Sequence, residues 1–208
     1  MQTSTAFPPL RPTVIDILRF SKVRMQRSLL CSDIVGFTAM LSRLGDTPAL
    51  TVVRRHDAIV RGCAAAHDGQ VLELRGDGFL VSFERRADAL ACAVDIQREL
   101  ATDRAAQPDG GVHVKIGVHT GDVLVERGRH FGLEVVVPFR LLEEAGPDEI
   151  LASGAIDESA PGEPGINPRD LQLAGIPRPI RAVEVPWQEV PCSFAAETLL
   201  QHDLAANG

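Results

Sequence analysis

The order of periodic segments in this chain of 208 residues predicts an α+β fold. Its core is a ferredoxin-like βαββαβ unit, a central and mostly antiparallel sheet flanked by helices. Three observations predict it. A short apolar run at 28–34 is followed by helix-period residues up to about Ala66. Two apolar runs, Gln70-Val71-Leu72 and Phe79-Leu80-Val81-Ser82-Phe83, flank Glu73-Leu74-Arg75-Gly76-Asp77-Gly78 and read as a hairpin turned by Gly-Asp-Gly. An alanine-rich helical stretch at 86–101 is followed by a residue-by-residue alternation at 112–118.

Taken in order, the first 26 residues form an N-terminal arm whose run Val14 to Phe20 has the length of a short docking helix. Residues 28–34 read as a buried strand. A helix starts near Thr38 and is interrupted around Gly45-Asp46-Thr47-Pro48. A longer one then carries Leu50, Val53, Ile59, Val60 and Cys63 and stops at His67-Asp68-Gly69. The hairpin spans 70–83. Residues 107–111 form a loop, and 112–118 and 122–126 are two separate strands. Residues 134–145 form a helix that tolerates Pro138 in its first turn. Residues 149–152 are a strand and 157–170 a Gly/Pro-rich loop. The segments 172–173 and 181–185 close the sheet. The domain proper is 27–186, and 187–208 is a tail with one apolar patch, Ala195 to Leu200.

The totals narrow the class. The content is 45% hydrophobic and 24% charged, that of a globular domain with a sizeable core. No apolar run approaches the roughly 20 residues that span a bilayer, and Met1 to Pro12 lacks the parts of a signal peptide. A cytoplasmic protein with no membrane partner is expected. The cysteines Cys31, Cys63, Cys92 and Cys192 form neither a C-x-x-C pair nor a disulfide framework. A net charge of −7 argues against nucleic acid as a partner.

Two carboxylates carry the chemistry. Asp77 sits at the hairpin tip. Asp33 ends the strand Ser28-Leu29-Leu30-Cys31-Ser32-Asp33 and is followed by Gly36 and Thr38. Asp77 taken alone is equally a turn residue. Set beside Asp33, it makes an oxygen site for hard divalent cations.

Asp33-Ile34-Val35-Gly36-Phe37-Thr38 and Gly76-Asp77-Gly78 together resemble the class III nucleotidyl cyclase catalytic domain. Further counterparts follow in the family's order: Lys115-Ile116-Gly117-Val118-His119-Thr120-Gly121, Phe131-Gly132 with Val135, Arg140-Leu141-Leu142-Glu143, and Leu173-Ala174-Gly175-Ile176. The resemblance covers about residues 27–186. It implies a nucleoside triphosphate substrate and two divalent ions, manganese or magnesium, on Asp33, Asp77 and the carbonyl of Ile34. The ribose 3′-hydroxyl attacks the α-phosphorus and pyrophosphate leaves. The turn at Gly36, Phe37 and Thr38 is implied to hold the β- and γ-phosphates. Lys115 stands where a basic residue lies near the triphosphate, and is equally an exposed strand charge. Arg140 matches the transition-state arginine. Class III cyclases act as homodimers with active sites at the interface.

Three departures matter. Val136 replaces the usual asparagine four residues before Arg140 and has no hydrogen-bonding group to orient ribose. Glu73 stands where adenylyl cyclases carry a lysine. Arg129 replaces the partner aspartate or threonine three residues before Gly132, and no lysine follows Lys115. Arg178 or Arg181 is a substitute for that missing lysine. A carboxylate accepts and a guanidinium donates. Glu73 with Arg129 therefore suits a base showing a ring N–H beside a carbonyl, uracil or guanine, and opposes adenine and cytosine. The length of Arg129 favours the pyrimidine. The chain also resembles the short pyrimidine cyclases of bacterial anti-phage signalling, which make cyclic UMP or cyclic CMP for a separate effector protein. The expected activity is UTP to cyclic UMP. The alternatives are a guanylate cyclase, or an inactive cyclase-homology module that binds nucleotide or a partner.

Overall fold

The computed structural model describes residues 22–107, 111–154 and 166–188. The arm's run at Val14 to Phe20 and the tail patch at Ala195 to Leu200 lie outside them. The elements are β1 (Val23–Ile34), α1 (Phe37–Leu44), α2 (Asp46–Ala66), β2 (Gln70–Arg75), β3 (Gly78–Phe83), α3 (Arg86–Ala106), β4 (Val114–Glu126), β5 (Arg129–Phe131), α4 (Leu133–Glu144), β6 (Ile150–Gly154), β7 (Ile166–Leu171) and β8 (Ile180–Glu184).

One sheet runs in the order β2-β3-β1-β4-β6-β8-β7, with β5 added to β4. Its first four strands are the expected ferredoxin-like unit. β1 is antiparallel to both β3 and β4, and among the described residues only the β4–β6 pairing is parallel. The alternation of side chains across a strand gives the sheet two different faces. On one, Leu30, Ile34, Phe79, Val81, Phe83, Val114, Ile116 and Val118 pack under α2 and α3 in the main core. The alanines Ala49, Ala64, Ala89 and Ala93 are buried there as well, small side chains that suit close helix packing. The other face carries Leu29, Leu80 and Val123 and is covered in part by α4. No helix among the described residues is long and apolar enough to cross a membrane.

Several boundaries differ from the sequence reading. β1 starts at Val23, so the end of the expected arm is sheet, with Val23 to Gln26 paired to Asp122 to Val125. The two strands expected at 112–118 and 122–126 are one long strand, because Thr120-Gly121 continues the β1 ladder without a turn. A short strand after Arg127-Gly128, β5, was not expected. β7 falls in the stretch read as loop, and 172–173 is not a strand. Trp187, read as tail, packs on the domain: its Nε1–H donates to the Asp148 carbonyl at 2.6 Å. In α2 the buried stripe is Ala49, Val52, His56, Val60, Cys63 and Ala64, whereas Leu50 is 48% exposed.

α4 has the tightest seat. Pro138 is its sixth residue, inside the helix and beyond the first turn. Its carbonyl lies directly against Gly117 of β4, where an added Cβ would collide with that backbone oxygen and crowd Leu141 and Leu142. The absent side chain at 117 is what lets α4 lie on the sheet. Gly117→Ala should therefore cost about 1–3 kcal/mol through overpacking, read as a lower denaturant midpoint with unchanged slope.

Candidate functional site

The carboxylates of Asp33 and Asp77 come together at one end of the sheet. Asp33 is the penultimate residue of β1, and Asp77 is in the β2–β3 turn. The Ile34 backbone N–H donates to Asp77 Oδ2 at 3.3 Å, which ties the hairpin tip to the end of β1. The Asp33 carboxyl is held above the usual carboxylate range, first by burial and then by the charge of Asp77 and a hydrogen bond with it. Lys115, its cross-strand partner in β4, opposes that rise. Two oxygen donors that resist sharing negative charge fit a divalent cation, which relieves both the burial and the repulsion. Among the described residues no group of three or more His, Cys, Asp or Glu gathers around an ion. The donor set is thus two carboxylates, with backbone carbonyls or water to complete it. In such a set Asp33, Asp77 and the Ile34 carbonyl would hold the metal.

The turn after β1 is set by Gly36, whose φ of 68° lies in the left-handed region. Its carbonyl accepts from the Met40 N–H at 2.9 Å and starts α1. The Val35 N–H donates to the His113 carbonyl at 2.9 Å, so the turn is anchored to the approach to β4. Phe37 and Thr38 form the first turn of α1 next to the aspartates. Amides in a first helical turn have no partner within the helix and suit phosphate oxygens.

Beside the aspartates lies a cavity of about 250 Å³. Asp33, Glu73, Lys115, Phe139, Leu142 and Glu143 line it, over a floor that includes Cys31 and Leu80. Glu73 is thus brought to the site from β2. Arg140 is adjacent: its Nη1–H donates to Glu143 Oε1 at 2.6 Å, and its Nε is buried without a hydrogen-bond partner. Arg129 is not brought in. It pairs with Glu126 in β5, at the other end of β4 from Lys115. The next residue, His130, turns toward the sheet and bonds Ser82 Oγ through Nε2 at 3.1 Å. Arg129 therefore projects from the opposite side of β5. Phe131 is 62%, Leu133 46% and Val136 38% exposed, an apolar strip running from β5 into α4. Arg178 and Arg181 are exposed around the start of β8.

Glu143 and Phe139 were read in the sequence only as neighbours of Arg140 on the same helix, and the fold puts both in the cavity lining. His56 was missed. It is buried behind the hairpin, with its ring 5.7 Å from that of Phe79, and burial pushes its pKa down. Only its place in the apolar stripe of α2 marked it.

Residues 21–130 match the adenylate and guanylate cyclase catalytic domain, more than half of the chain. The chain belongs to that family. It is 28% identical over 161 residues to a Rhizobium meliloti protein provisionally named adenylate cyclase 3, covering 76% of this chain and 27% of that one. Among solved structures, an adenylate/guanylate cyclase/hydrolase from Silicibacter pomeroyi superposes with a TM-score of 0.69 at 27% identity, covering 80% of this chain and 99% of that one. The adenylyl cyclase CyaB from P. aeruginosa superposes at 0.65 with 20% identity, covering 82% and 98%, and shares the fold. The chain spans between 15% and 53% of the length of curated relatives that it matches, 27% of the Rhizobium meliloti protein among them.

The raised Asp33 carboxyl gives a measurable sign. A group with a raised folded pKa adds stability below its unfolded value and loses it as pH rises through the folded value. In chelator, Asp33→Asn should therefore melt higher than the unsubstituted chain at pH 7, with the gap closing toward pH 4. Manganese at about 100 times its Kd should stabilise the unsubstituted chain by about 2.7 kcal/mol and Asp33→Asn by far less. Calorimetry across pH, with and without the ion, checks both.

Proposed function

We propose that this protein converts a nucleoside triphosphate to its 3′,5′-cyclic nucleotide and pyrophosphate, with UTP as substrate. The observation that carries the reading is the Asp33–Asp77 pair beside an anchored phosphate-type turn, in a chain of the cyclase family. Two divalent ions bound there would supply charge neutralisation for the attacking 3′-oxygen and the leaving pyrophosphate. The chain's own residues do the rest. Asp33 and Asp77 hold the ions, with the carbonyl of Ile34. The amides at Gly36, Phe37 and Thr38 hold the β- and γ-phosphates, and Lys115 adds positive charge beside them. Arg140 leaves Glu143 to donate to α-phosphate oxygens as charge builds in the transition state.

Glu73 accepts from the ring N–H of uracil, and Arg129 donates to its carbonyl. The length of Arg129 supports a pyrimidine over guanine. The family resemblance puts the metal aspartates and the base-reading residues of one site on different chains, so Glu73 and Asp77 would serve opposite sites of a homodimer. The exposed strip of Phe131, Leu133 and Val136 gives that homodimer an apolar surface. Cyclic UMP would then serve as a second messenger for a separate effector in anti-phage defence, a role supported by the resemblance to pyrimidine cyclases.

A specific observation favours a second reading. Val136 presents an apolar, 38% exposed side chain where the family has a ribose-orienting asparagine. An inactive module that binds nucleotide fits that substitution.

Incubation with ATP, GTP, CTP and UTP separately, in manganese, followed by mass spectrometry, decides between them. Cyclic UMP is the expected product, and Asp77→Ala should abolish it. Cyclic GMP would make the protein a guanylate cyclase. Nucleotide binding with no cyclic product would establish the inactive module. The base assignment has its own check. Glu73→Lys with Arg129→Asp should move the preference to ATP by about tenfold or more in kcat/KM, since a mismatched polar group in a built site is strongly rejected. An unchanged preference would remove both residues from base recognition.

A further inference from the structure

A hydrogen-bonded chain away from the cavity, buried at its β4 and β6 end, joins those strands to the first turn of α4. His119 of β4 is 4% exposed and Ser153 of β6 is fully buried. Ser153 Oγ lies 2.9 Å from His119 Nδ1, and His119 Nε2 lies 2.5 Å from Glu134 Oε2. Burial lowers the pKa of His119 and Arg86 adds to that, against the opposing effect of Glu134. The neutral ring therefore accepts from the Ser153 hydroxyl and donates its Nε2–H to Glu134. Gly121 leaves room for this contact, because a Cβ there would stand 2.5 Å from Glu134 Oε2 and 2.9 Å from His119 Nε2.

The contact falls where α4 is weakest. Pro138 has no N–H, so the carbonyl of Glu134, four residues earlier, lacks its helical donor. The turn that carries Glu134 is short of one backbone hydrogen bond. The side chain of the same residue then ties that turn to the sheet. Arg140 lies six residues further along the same helix, beyond the seat of Pro138 on Gly117. Two fixed points, Glu134 on His119 and Pro138 on Gly117, set the height and rotation of α4 and with them where the guanidinium is delivered.

We propose that His119 and Glu134 are positioning residues: their part-buried hydrogen bond pins the Pro138-weakened first turn of α4 and so sets the placement of Arg140. The inference rests on the reading of Arg140 as the transition-state arginine. The test uses the full chain and four variants: Glu134→Leu, Glu134→Gln, Arg140→Ala, and Glu134→Leu combined with Arg140→Ala. The first readout needs no activity. Hydrogen exchange of the backbone amides at 135–137 and 139–141 should speed up in Glu134→Leu and stay near the unsubstituted rate in Glu134→Gln, whose amide oxygen still accepts from Nε2–H. Unchanged protection in Glu134→Leu overturns the proposal. The second readout is kinetic, with manganese and whichever nucleotide is cyclised. Glu134→Leu should lower kcat about 10- to 100-fold, the scale of an ångström-level misplacement, with KM changed less than about twofold. Glu134→Gln should restore most of that loss. In the Arg140→Ala background Glu134→Leu should cost nothing more. A full additional loss there would show a general weakening of the fold and overturn the positioning role. Full kcat in Glu134→Leu beside a slow Arg140→Ala sinks the clamp alone. Full kcat in Arg140→Ala removes the arginine's assignment, and the clamp's purpose with it.

Discussion

Everything at the site depends on β1 being paired on both edges. A strand hydrogen-bonded on each side has its register fixed twice, and a one-residue slip would turn Leu30 and Ile34 out of the main core. That double constraint puts Asp33 opposite Lys115 and brings the hairpin tip to the Ile34 amide. Two carboxylates in a half-buried corner repel each other, and neither would be held there by its own energetics. Core packing on one face of the sheet holds them, and the resulting raised Asp33 carboxyl leaves the corner ready for a cation.

The two sheet faces divide the work. The face under α2 and α3 is packed with apolar side chains and carries no part of the cavity's charged lining. The face under α4 is only part covered, and Asp33, Glu73 and Lys115 project from it. Strand alternation makes such a division possible without conflict, because neighbouring residues answer to different demands. Phe79 and Leu80 are a case in point: the first packs with His56 on the helical face, and the second belongs to the small apolar cluster beneath α4.

The hairpin and the strand before Asp33 were legible because local chemistry dictates them, and the pairing of Asp33 with Asp77 was legible only through the resemblance to the cyclase family. A Gly-Asp-Gly between two apolar runs has few alternatives to a hairpin, and an apolar strand ending in Asp-Ile-Val-Gly-Phe-Thr fits one kind of strand-to-helix turn. Less legible was anything decided by distance along the chain. β4 was read as two strands because Thr120-Gly121 looks like an interruption, whereas the β1 ladder carries the backbone straight through. β5 is too short to show a period. The line of Glu73 and Arg129 as joint base readers is a pairing inferred from motif positions. In one chain the two side chains occupy different regions, Glu73 in the cavity and Arg129 on the outer side of β5. Glu143 stood in the sequence only as the last residue of the Arg140-Leu141-Leu142-Glu143 match, and the fold is what shows that it faces the cavity.

The composition of α4 looks poor for a catalytic helix: three consecutive valines, a proline and no asparagine. Its packing makes sense of the first two. Val137, Pro138 and Leu141 are buried against the sheet, and Val135 and Phe139 join the small cluster with Leu29, Leu80 and Val123. Of the three valines Val136 alone is exposed, at 38%, next to Phe131 and Leu133. A polar asparagine at that position would break the apolar strip, while valine continues it. The same substitution that removes a ribose contact therefore enlarges the surface available to a second copy. On the proposed reading of a site completed by a second copy, that exchange is favourable, because affinity for the partner would set how often a complete site exists.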